Sequence, residues 1–188
     1  MRYLIVVDMQ KDFVTGVLGT KEARQILPAV VARVQGFEGR VIFTRDTHGE
    51  DYLDTQEGRY LPVPHCIRGT EGWQLAEELE AVRAAKDLPV YDKATFGCPE
   101  LARDLVQANA REVIQSIELI GVCTDICVVS NALIIKAHLP EVPIYVDPAC
   151  CAGVTPQAHQ AALNTMRSCQ IQMRQEKPEA AGKRKESV

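Results

Sequence analysis

Two cysteines, Cys123 and Cys127, stand four residues apart in the stretch "GVCTDICVVS", at the end of a strongly apolar run. This spacing fits a nucleophile beside a bystander, a pair of metal ligands or redox thiols, or two small buried hydrophobic residues. The seven cysteines of the chain match neither a disulfide framework nor a paired CxxC zinc site. We therefore expect most of them to be buried thiols in a reducing compartment, and the surroundings must identify a reactive one.

An acid and a lysine follow other apolar segments of the same kind. Asp8 comes directly after "RYLIVV", and Lys93 closely follows "LPVY". Ligands of parallel sheets bind beyond the carboxyl ends of the strands, so we expect these two side chains to meet the cysteines at one edge of a sheet. Each has an ordinary explanation, since Asp8 could cap a turn and Lys93 could lie on the surface. Their arrival at the same edge favours a chemical site instead.

A long polar insertion, residues 45–72, carries two of the four histidines. Asp46 and His48 are two residues apart, so in an extended segment both side chains point the same way. His65 follows after a loop. Mixed carboxylate and imidazole ligands suit zinc, manganese or iron(II). A polar surface loop is the alternative interpretation, although loops this long are usually functional or disordered.

The apolar pattern of the chain predicts the elements that position these residues. Short apolar segments that end in turn residues indicate buried strands, expected at 2–7, 40–44, 88–91, 112–121 and 142–146, with a weaker sixth at 170–173. Apolar stripes indicate helices, expected at 23–35, 99–109, 126–138 and 156–168. Pro28 indicates the first turn of its helix. Alternating strands and helices predict an α/β fold, a three-layer α/β/α sandwich around a parallel sheet.

The length and composition are typical of one well-packed domain. The chain has 188 residues, 46% of them hydrophobic, and a net charge of −4 with a pI near 5.6. This charge gives no basic surface for nucleic acid. No segment resembles a signal peptide or approaches the ~20 apolar residues of a membrane span. We predict a single domain over residues 1–173, a solvated tail over 174–188 and a cytoplasmic location.

Three stretches together resemble the isochorismatase-like cysteine hydrolases, and among them the nicotinamidase and pyrazinamidase group. They are "VVDMQKDF", "DKATFG" and "GVCTDICV", each at the end of an expected strand. The resemblance extends from about residue 3 to about residue 155. It implies a Rossmann-like, six-stranded parallel sheet ordered 3-2-1-4-5-6, and a catalytic triad of Asp8, Lys93 and Cys127.

The resemblance also implies different roles for the two cysteines. Cys127 is the expected nucleophile, and its place at a strand-to-helix turn near Lys93 predicts a lowered thiol pKa. Asp8 is expected to take the thiol proton and later deliver it to the leaving ammonia. The resemblance implies that Cys123 and Cys127 each supply a backbone N–H to the oxyanion hole. A cis bond between Val122 and Cys123 is usual in the family, although non-proline cis bonds are rare.

A metal site follows from the same resemblance. The nicotinamidase pattern "DxH … PHxxxGTxG" binds one metal ion, which implies three ligands here: Asp46, His48 and His65. The expected cofactor is one divalent ion, zinc, with manganese and iron as alternatives. Some nicotinamidases add a fourth ligand, for which Glu57 is the nearest candidate, with Asp51 and Asp54 as rivals. The ion is expected to hold the pyridine nitrogen of the substrate and so to position it.

The implied reaction is hydrolysis of nicotinamide to nicotinate and ammonia through a thioester, a step of pyridine nucleotide salvage in NAD metabolism. Phe13 resembles the residue that packs on the substrate ring, and Phe96 with Leu61 or Tyr60 is expected to complete an apolar slot. The expected partners are a small amide and further copies of the chain in a homo-oligomer. Three alternatives stay open: hydrolysis of another small amide, hydrolysis of a vinyl ether, and a non-catalytic metal or thiol sensor on the same fold.

Overall fold

A computed structural model of the chain describes residues 1–174. Its six strands form one parallel sheet with the order β3-β2-β1-β4-β5-β6, which confirms the predicted fold and order. The strands are β1 Arg2–Val7, β2 Arg40–Asp46, β3 Val90–Lys93, β4 Ser116–Val122, β5 Ile144–Ala152 and β6 Gln172–Met173. Because the chain returns to the middle of the sheet after β3, the ends of β1 and β4 lie side by side.

Seven α-helices connect or flank these strands within residues 1–174. They are α1 Lys11–Val14, α2 Lys21–Gln35, α3 Gln56–Tyr60, α4 Glu77–Ala85, α5 Pro99–Arg111, α6 Val129–His138 and α7 Pro156–Ser168. A 3₁₀ turn at Tyr52–Asp54 precedes α3, and a π-helical turn at Thr124–Val128 precedes α6. None of the helices in this part of the chain has the length and apolar character to cross a membrane.

The central strand β1 shows why the sheet is covered on both faces. Tyr3, Ile5 and Val7 point to one side, where they join the buried residues of α5, α6 and α7. Leu4 and Val6 point to the other side, where they join the buried residues of α2 and α4. Because successive side chains of a strand alternate between faces, a continuous apolar strand needs helices on both sides. The result is the expected three-layer sandwich.

The first long helix begins earlier than the sequence indicated. Thr20 is its N-cap, and the Thr20 hydroxyl accepts a hydrogen bond from the Ala23 amide at 3.0 Å. Pro28 therefore lies inside α2, and its predicted place in the first turn is wrong. A proline removes one amide donor from the helix. Pro28 is exposed, so the carbonyl that lacks this donor faces the solvent side of the helix.

Several strands end later than the apolar pattern indicated. β2 continues to Asp46 and β3 to Lys93, and these two residues are directly opposite each other across the two strands. β5 continues through Cys150 and Cys151, which were expected just after it and which lie in the cores on opposite faces of the sheet. Polar residues belong to these strands because backbone hydrogen bonds to the neighbouring strand continue past the apolar run. The apolar pattern of the sequence does not show where these hydrogen bonds end.

A buried carboxylate ties the last described residue to the sheet. Glu118 of β4 accepts two hydrogen bonds of 2.6 Å from the Arg33 guanidinium of α2, and Arg174 also contacts it. The Arg174 amide donates to the Val146 carbonyl at 2.8 Å. The predicted tail begins at this residue, and the remainder of the tail, residues 175–188, lies outside the described residues.

Candidate active site

The carboxyl edge of the sheet brings Asp8, Lys93 and Cys127 together. The Lys93 ammonium nitrogen lies 2.7 Å from Asp8 Oδ2 and 3.6 Å from the Cys127 sulfur. All three side chains are buried. Strand β2 separates β3 from β1, so the long side chain of Lys93 crosses the end of β2 to reach Asp8. The three residues expected to converge are therefore in contact.

The Asp8 carboxylate is held on both of its oxygens. Oδ1 accepts a 2.7 Å hydrogen bond from the Thr44 hydroxyl. Oδ2 forms an ion pair with the Lys93 ammonium group, but the two groups do not have hydrogen-bond geometry. The same ammonium group contacts the Cys127 sulfur, so the carboxylate and the thiol lie on either side of Lys93. Asp8 has a positive φ of 47°, a conformation that non-glycine residues adopt at a small cost and often at functional sites. The backbone turn thus aims the carboxylate at the thiol.

The surroundings of Cys127 favour its protonated thiol. Its burial raises its pKa well above the usual value, the Asp8 charge acts in the same direction, and Lys93 opposes both. The expectation of a lowered thiol pKa is therefore wrong in its net direction, because desolvation outweighs the lysine. Burial also raises the pKa of Asp8, against the opposing charge of Lys93. A thiol and a carboxyl group whose pKa values are both raised, and which both contact Lys93, can serve as donor and acceptor for one proton.

The turn after β4 places Cys123 and Cys127 on the same pocket wall. Cys123 precedes the π-helical turn, and its carbonyl accepts a hydrogen bond of 3.0 Å from the Val128 amide. The Val122–Cys123 peptide is cis, as the resemblance implied. Within residues 1–174 the amide of Cys123 donates no hydrogen bond to protein, so it is available to an acceptor in the pocket. Burial raises the pKa of the Cys123 thiol to about 12, with the Asp125 charge adding to the effect.

Asn131 supports the position of Cys127 and was not singled out in the sequence. Its fully buried side-chain amide donates to the carbonyls of Cys127, at 2.8 Å, and Phe96, at 3.1 Å, and its oxygen accepts from the Cys98 amide at 3.0 Å. One side chain thus joins the cysteine turn to the loop after Lys93. The available signal was an amide side chain one helical turn after Cys127, in a largely apolar segment.

Gln10 is a second supporting residue that the sequence analysis missed. Its side chain pairs with the backbone of Asp46, accepting from the amide at 2.7 Å and donating to the carbonyl at 2.9 Å. It also donates to the Trp73 carbonyl at 2.9 Å. Gln10 is fully buried, so these bonds satisfy polar groups that water does not reach. It fixes the end of β2 against β1 and against the loop that closes the insertion.

The insertion brings Asp46, His48, Glu57 and His65 into one cluster, with a ligand atom of each within 4.8 Å of the others. His48 Nε2 lies 2.9 Å from Asp46 Oδ2 and 3.7 Å from Glu57 Oε1, and His65 Nε2 lies 3.7 and 3.9 Å from the same two atoms. Tetrahedral ligands about 2.0–2.2 Å from a zinc ion are about 3.4 Å apart. The cluster therefore fits a divalent metal ion.

The backbone around His65 orients its ring for such a role. Its Nδ1 lies 2.8 Å from the Val63 carbonyl, so Nδ1 carries the proton and Nε2 keeps a free lone pair toward the cluster. The next amide, that of Cys66, donates to the Asp12 carboxylate at 2.8 Å and so fixes this loop to α1. The rival acids Asp51 and Asp54 lie outside the cluster, because only Glu57 projects from the first turn of α3 toward the histidines.

A pocket of about 170 Å³ lies between the thiol and this cluster. Phe13, Leu61 and Phe96 line it as expected, and the Phe13 ring meets the His65 ring edge-on at 5.5 Å. Of the two residues considered before His65, Leu61 lines this pocket and Tyr60 lines the neighbouring cleft. Further lining residues that the sequence analysis did not name are Leu18, Thr20, Ile126 and Val154. The pocket has apolar walls with the thiol and the acidic and histidine cluster as polar ends.

Among known protein families, the sequence model of the isochorismatase domain matches residues 2–177 of this chain. The chain belongs to the isochorismatase family. It is 26% identical over 185 residues to a nicotinamidase/pyrazinamidase of Mycobacterium tuberculosis, which covers 92% of this chain and 98% of the relative. Family membership and the shared sheet order agree with the sequence-based interpretation.

Solved structures extend the likeness to three dimensions. Nicotinamidase PncA from Bacillus subtilis has 29% sequence identity to this chain. Its crystal structure superimposes on it with a TM-score of 0.78, over 93% of this chain and 99% of that one. The pyrazinamidase of Pyrococcus horikoshii in complex with zinc is 26% identical, with a TM-score of 0.72 and coverage of 93% and 99%. The likeness spans nearly the whole length of both of these structures.

Replacing Asn131 with Ala should destabilise the protein. The change removes the side-chain partner of the buried Cys127 carbonyl, the partly buried Phe96 carbonyl and the buried Cys98 amide, and each buried group left unpaired costs ~1–3 kcal/mol. We expect the free energy of unfolding, measured by urea titration, to fall by at least ~2 kcal/mol. Asn164→Ala on the exposed face of α7 is the matched control, with an expected change below ~0.5 kcal/mol. Equal effects of the two changes would contradict the supporting role of Asn131.

Proposed function

We propose that the protein is a cysteine amidohydrolase that converts nicotinamide to nicotinate and ammonia. The observation that carries the proposal is the contact among Asp8, Lys93 and Cys127 at one end of a pocket whose other end is a metal-binding cluster. The pocket is small and apolar between these ends, which suits one aromatic ring with a carboxamide group. Relatives named as nicotinamidases, with similar length and fold, support this choice of amide.

In the first half of the reaction the Cys127 sulfur attacks the amide carbon while Asp8 takes the thiol proton. The carbonyl oxygen then carries the negative charge, and the amides of Cys123 and Cys127 are the donors that would stabilise it. The C–N bond breaks as Asp8 returns the proton to the nitrogen, and ammonia leaves. The products of this half are a thioester on Cys127 and one ammonia molecule.

In the second half a water molecule cleaves the thioester. Asp8, again a carboxylate, takes a proton from the water as its oxygen attacks the carbonyl carbon. The C–S bond breaks and the Cys127 sulfur regains a proton from Asp8. The acid product keeps the second proton of the water and releases it to solvent as it leaves as nicotinate. Lys93 stabilises the Asp8 carboxylate between the two halves, because its ammonium group lies 2.7 Å from Oδ2. Water, thiol and carboxyl protons are balanced over one cycle.

The proposed cofactor is one zinc ion held by Asp46, His48, Glu57 and His65. The mixed nitrogen and oxygen donors and their spacing support a divalent ion, and the zinc complex of the Pyrococcus relative supports zinc, with manganese and iron as alternatives. Such an ion supplies a Lewis-acid contact for a ring nitrogen. Phe13, Leu61 and Phe96 would hold the ring itself by packing on it.

A homo-oligomer is also part of the proposal. The face of the sheet over β2 and β3 carries an open apolar cleft of about 450 Å³, and β3 is an edge strand. Its walls include Ile42, Leu88 and Tyr91. Exposed apolar patches of this kind often mark contacts with other protein chains. Light scattering of the purified protein measures the assembly directly.

The two cysteines should respond differently to substitution. Cys127→Ala removes the sulfur that forms the thioester, so we expect kcat for nicotinamide to fall by ~10⁴-fold or more. Cys123→Ala leaves the backbone amide in place and should keep kcat within about tenfold of the unmodified enzyme. Ammonia release measures both, and mass spectrometry of the quenched enzyme should find the acyl group on residue 127 alone. Similar losses from the two substitutions would contradict this assignment of roles.

Metal binding should depend on Glu57 and not on the neighbouring acids. Glu57→Ala removes one of four clustered ligands, and we expect zinc affinity, measured by titration calorimetry, to fall by at least ~10–100-fold. Asp54→Ala is the matched control, because Asp54 lies in the same segment but outside the cluster. The control should bind zinc as the unmodified protein does. If Glu57→Ala did not change the zinc affinity, Glu57 would not be a ligand, and the site would consist of Asp46, His48 and His65 alone.

Benzamide tests whether the substrate nitrogen is recognised. Benzamide has nearly the shape of nicotinamide, so packing on Phe13 does not distinguish the two, whereas a site built around a polar contact rejects a ligand that lacks it. We expect kcat/KM for nicotinamide to exceed that for benzamide by at least about a hundredfold, a gap of ~2.7 kcal/mol. The gap should shrink in His65→Ala. Comparable rates in the unmodified enzyme would refute nicotinamide as the substrate while leaving a cysteine amidohydrolase.

A further inference from the structure

We propose that the cleft beside the reaction pocket is a second part of the substrate site, which takes a flat, uncharged group on position 5 of the nicotinamide ring. The inference rests on the proposed function and extends it from nicotinamide to a class of ring-substituted nicotinamides. The observations that carry it are the continuity of the two spaces, the direction in which the substrate ring must face, and the side chains that line the cleft.

The cleft and the reaction pocket share two walls. The cleft holds about 430 Å³ and is lined by Gln56, Glu57, Tyr60, Ala94, Thr95 and Phe96. Glu57 and Phe96 also line the reaction pocket, which holds only about 170 Å³. Pockets for small organic ligands commonly hold about 300–1,000 Å³; the reaction pocket alone falls below this range, and together with the cleft it falls within it. A substrate confined to the reaction pocket would therefore leave the larger part of the available space empty.

Two contacts of Lys93 fix which edge of the ring faces the cleft. Its ammonium nitrogen lies 3.6 Å from the Cys127 sulfur and 3.3 Å from Asp46 Oδ1, so it stands between the thiol and the cluster. A ring with its amide carbon at Cys127 and its nitrogen at the cluster turns position 2 toward Lys93. Position 5 is opposite to position 2 and so faces away from Lys93, and we place it at the wall that Phe96 shares with the cleft. Position 6 adjoins the ring nitrogen and therefore lies next to the cluster that contains Glu57.

The lining of the cleft selects the kind of group. Glu57 is its one charged lining residue, and that carboxylate already belongs to the histidine cluster. The Thr95 hydroxyl donates to the Gly97 carbonyl at 2.6 Å and is thus engaged. The rings of Tyr60 and Phe96 are 85% and 45% exposed, so their faces are open to a ligand. Aromatic faces bind flat apolar groups by stacking, which points to an aryl substituent.

The test compares three amides on the zinc-loaded enzyme. We expect 5-phenylnicotinamide to be hydrolysed with a kcat/KM within tenfold of that of nicotinamide. Its isomer 6-phenylnicotinamide has the same size and hydrophobicity but directs the phenyl ring at Glu57, and its kcat/KM should be at least a hundredfold lower. A rate for the 5-isomer as low as that of the 6-isomer would overturn the proposal, because the cleft would then be closed to the substrate.

A filled cleft gives an independent check. Ala94→Trp places a large side chain in the cleft and should lower kcat/KM for 5-phenylnicotinamide at least tenfold, with nicotinamide within threefold of the unmodified enzyme. Val113→Trp is the matched control. Val113 is 74% exposed and lies just before β4, at the amino-terminal end of the strands and thus far from the cleft. It should change neither rate. A loss for nicotinamide as large as that for the 5-isomer would overturn the proposal.

Binding measurements separate this inference from the proposed function. In zinc-loaded Cys127→Ala protein, calorimetry should give a Kd for 5-phenylnicotinamide at or below that of nicotinamide, and Ala94→Trp in the same background should raise it at least tenfold. If the unmodified enzyme released no ammonia from nicotinamide, the proposed function would fail. The dissociation constants would still show whether the cleft binds the phenyl group. A Kd for the 5-isomer more than tenfold above that of nicotinamide would overturn the cleft proposal alone.

Discussion

The ammonium group of Lys93 is shared by two carboxylates and a thiol that are all removed from water. It lies 2.7 Å from Asp8, 3.3 Å from Asp46 and 3.6 Å from Cys127. Burial by itself would lower the pKa of Lys93, but the charges of Asp8 and Asp46 outweigh it and raise that pKa. Removing one partner of a buried ion pair is commonly much more costly than never forming the pair. The arrangement of β1, β2, β3 and the cysteine turn therefore depends on this one cation.

Uncharged side chains hold the charged ones at these distances. Gln10 clamps the backbone at Asp46, Thr44 holds the Asp8 carboxylate, and Asn131 joins the Cys127 turn to the loop that follows Lys93. Each is buried and uses its hydrogen bonds on the backbone or on a reacting group. Neutral donors and acceptors can be packed close to buried charges without adding a charge that would also need a partner. They fix the geometry without disturbing the electrostatic balance around Lys93.

The sequence could predict the meeting of Asp8, Lys93 and Cys127 because it depends only on strand order and on where apolar runs end. It could also narrow the fourth metal ligand to three acids, but the choice of Glu57 needed the short helix α3 that aims it inward. The thiol pKa was mispredicted because helix position and a nearby lysine can be read from a sequence, whereas the depth of burial cannot. Gln10 and Asn131 were missed for the same reason. Whether a polar side chain is buried, and which backbone groups it binds, is determined by the folded structure and cannot be read from the sequence.

Asp46 explains how a thiol site and a metal-binding cluster can share so small a pocket. Its Oδ1 faces the Lys93 ammonium at 3.3 Å, while its Oδ2 faces His48 at 2.9 Å and His65 at 3.7 Å. One carboxylate thus serves both ends of the pocket with different oxygens. His48 and Lys93, with His65, hold its pKa low although burial raises it, so it stays charged at both contacts. The distance between the two ends is then set by the width of a single carboxylate and the reach of one lysine, which limits the substrate core to about one aromatic ring.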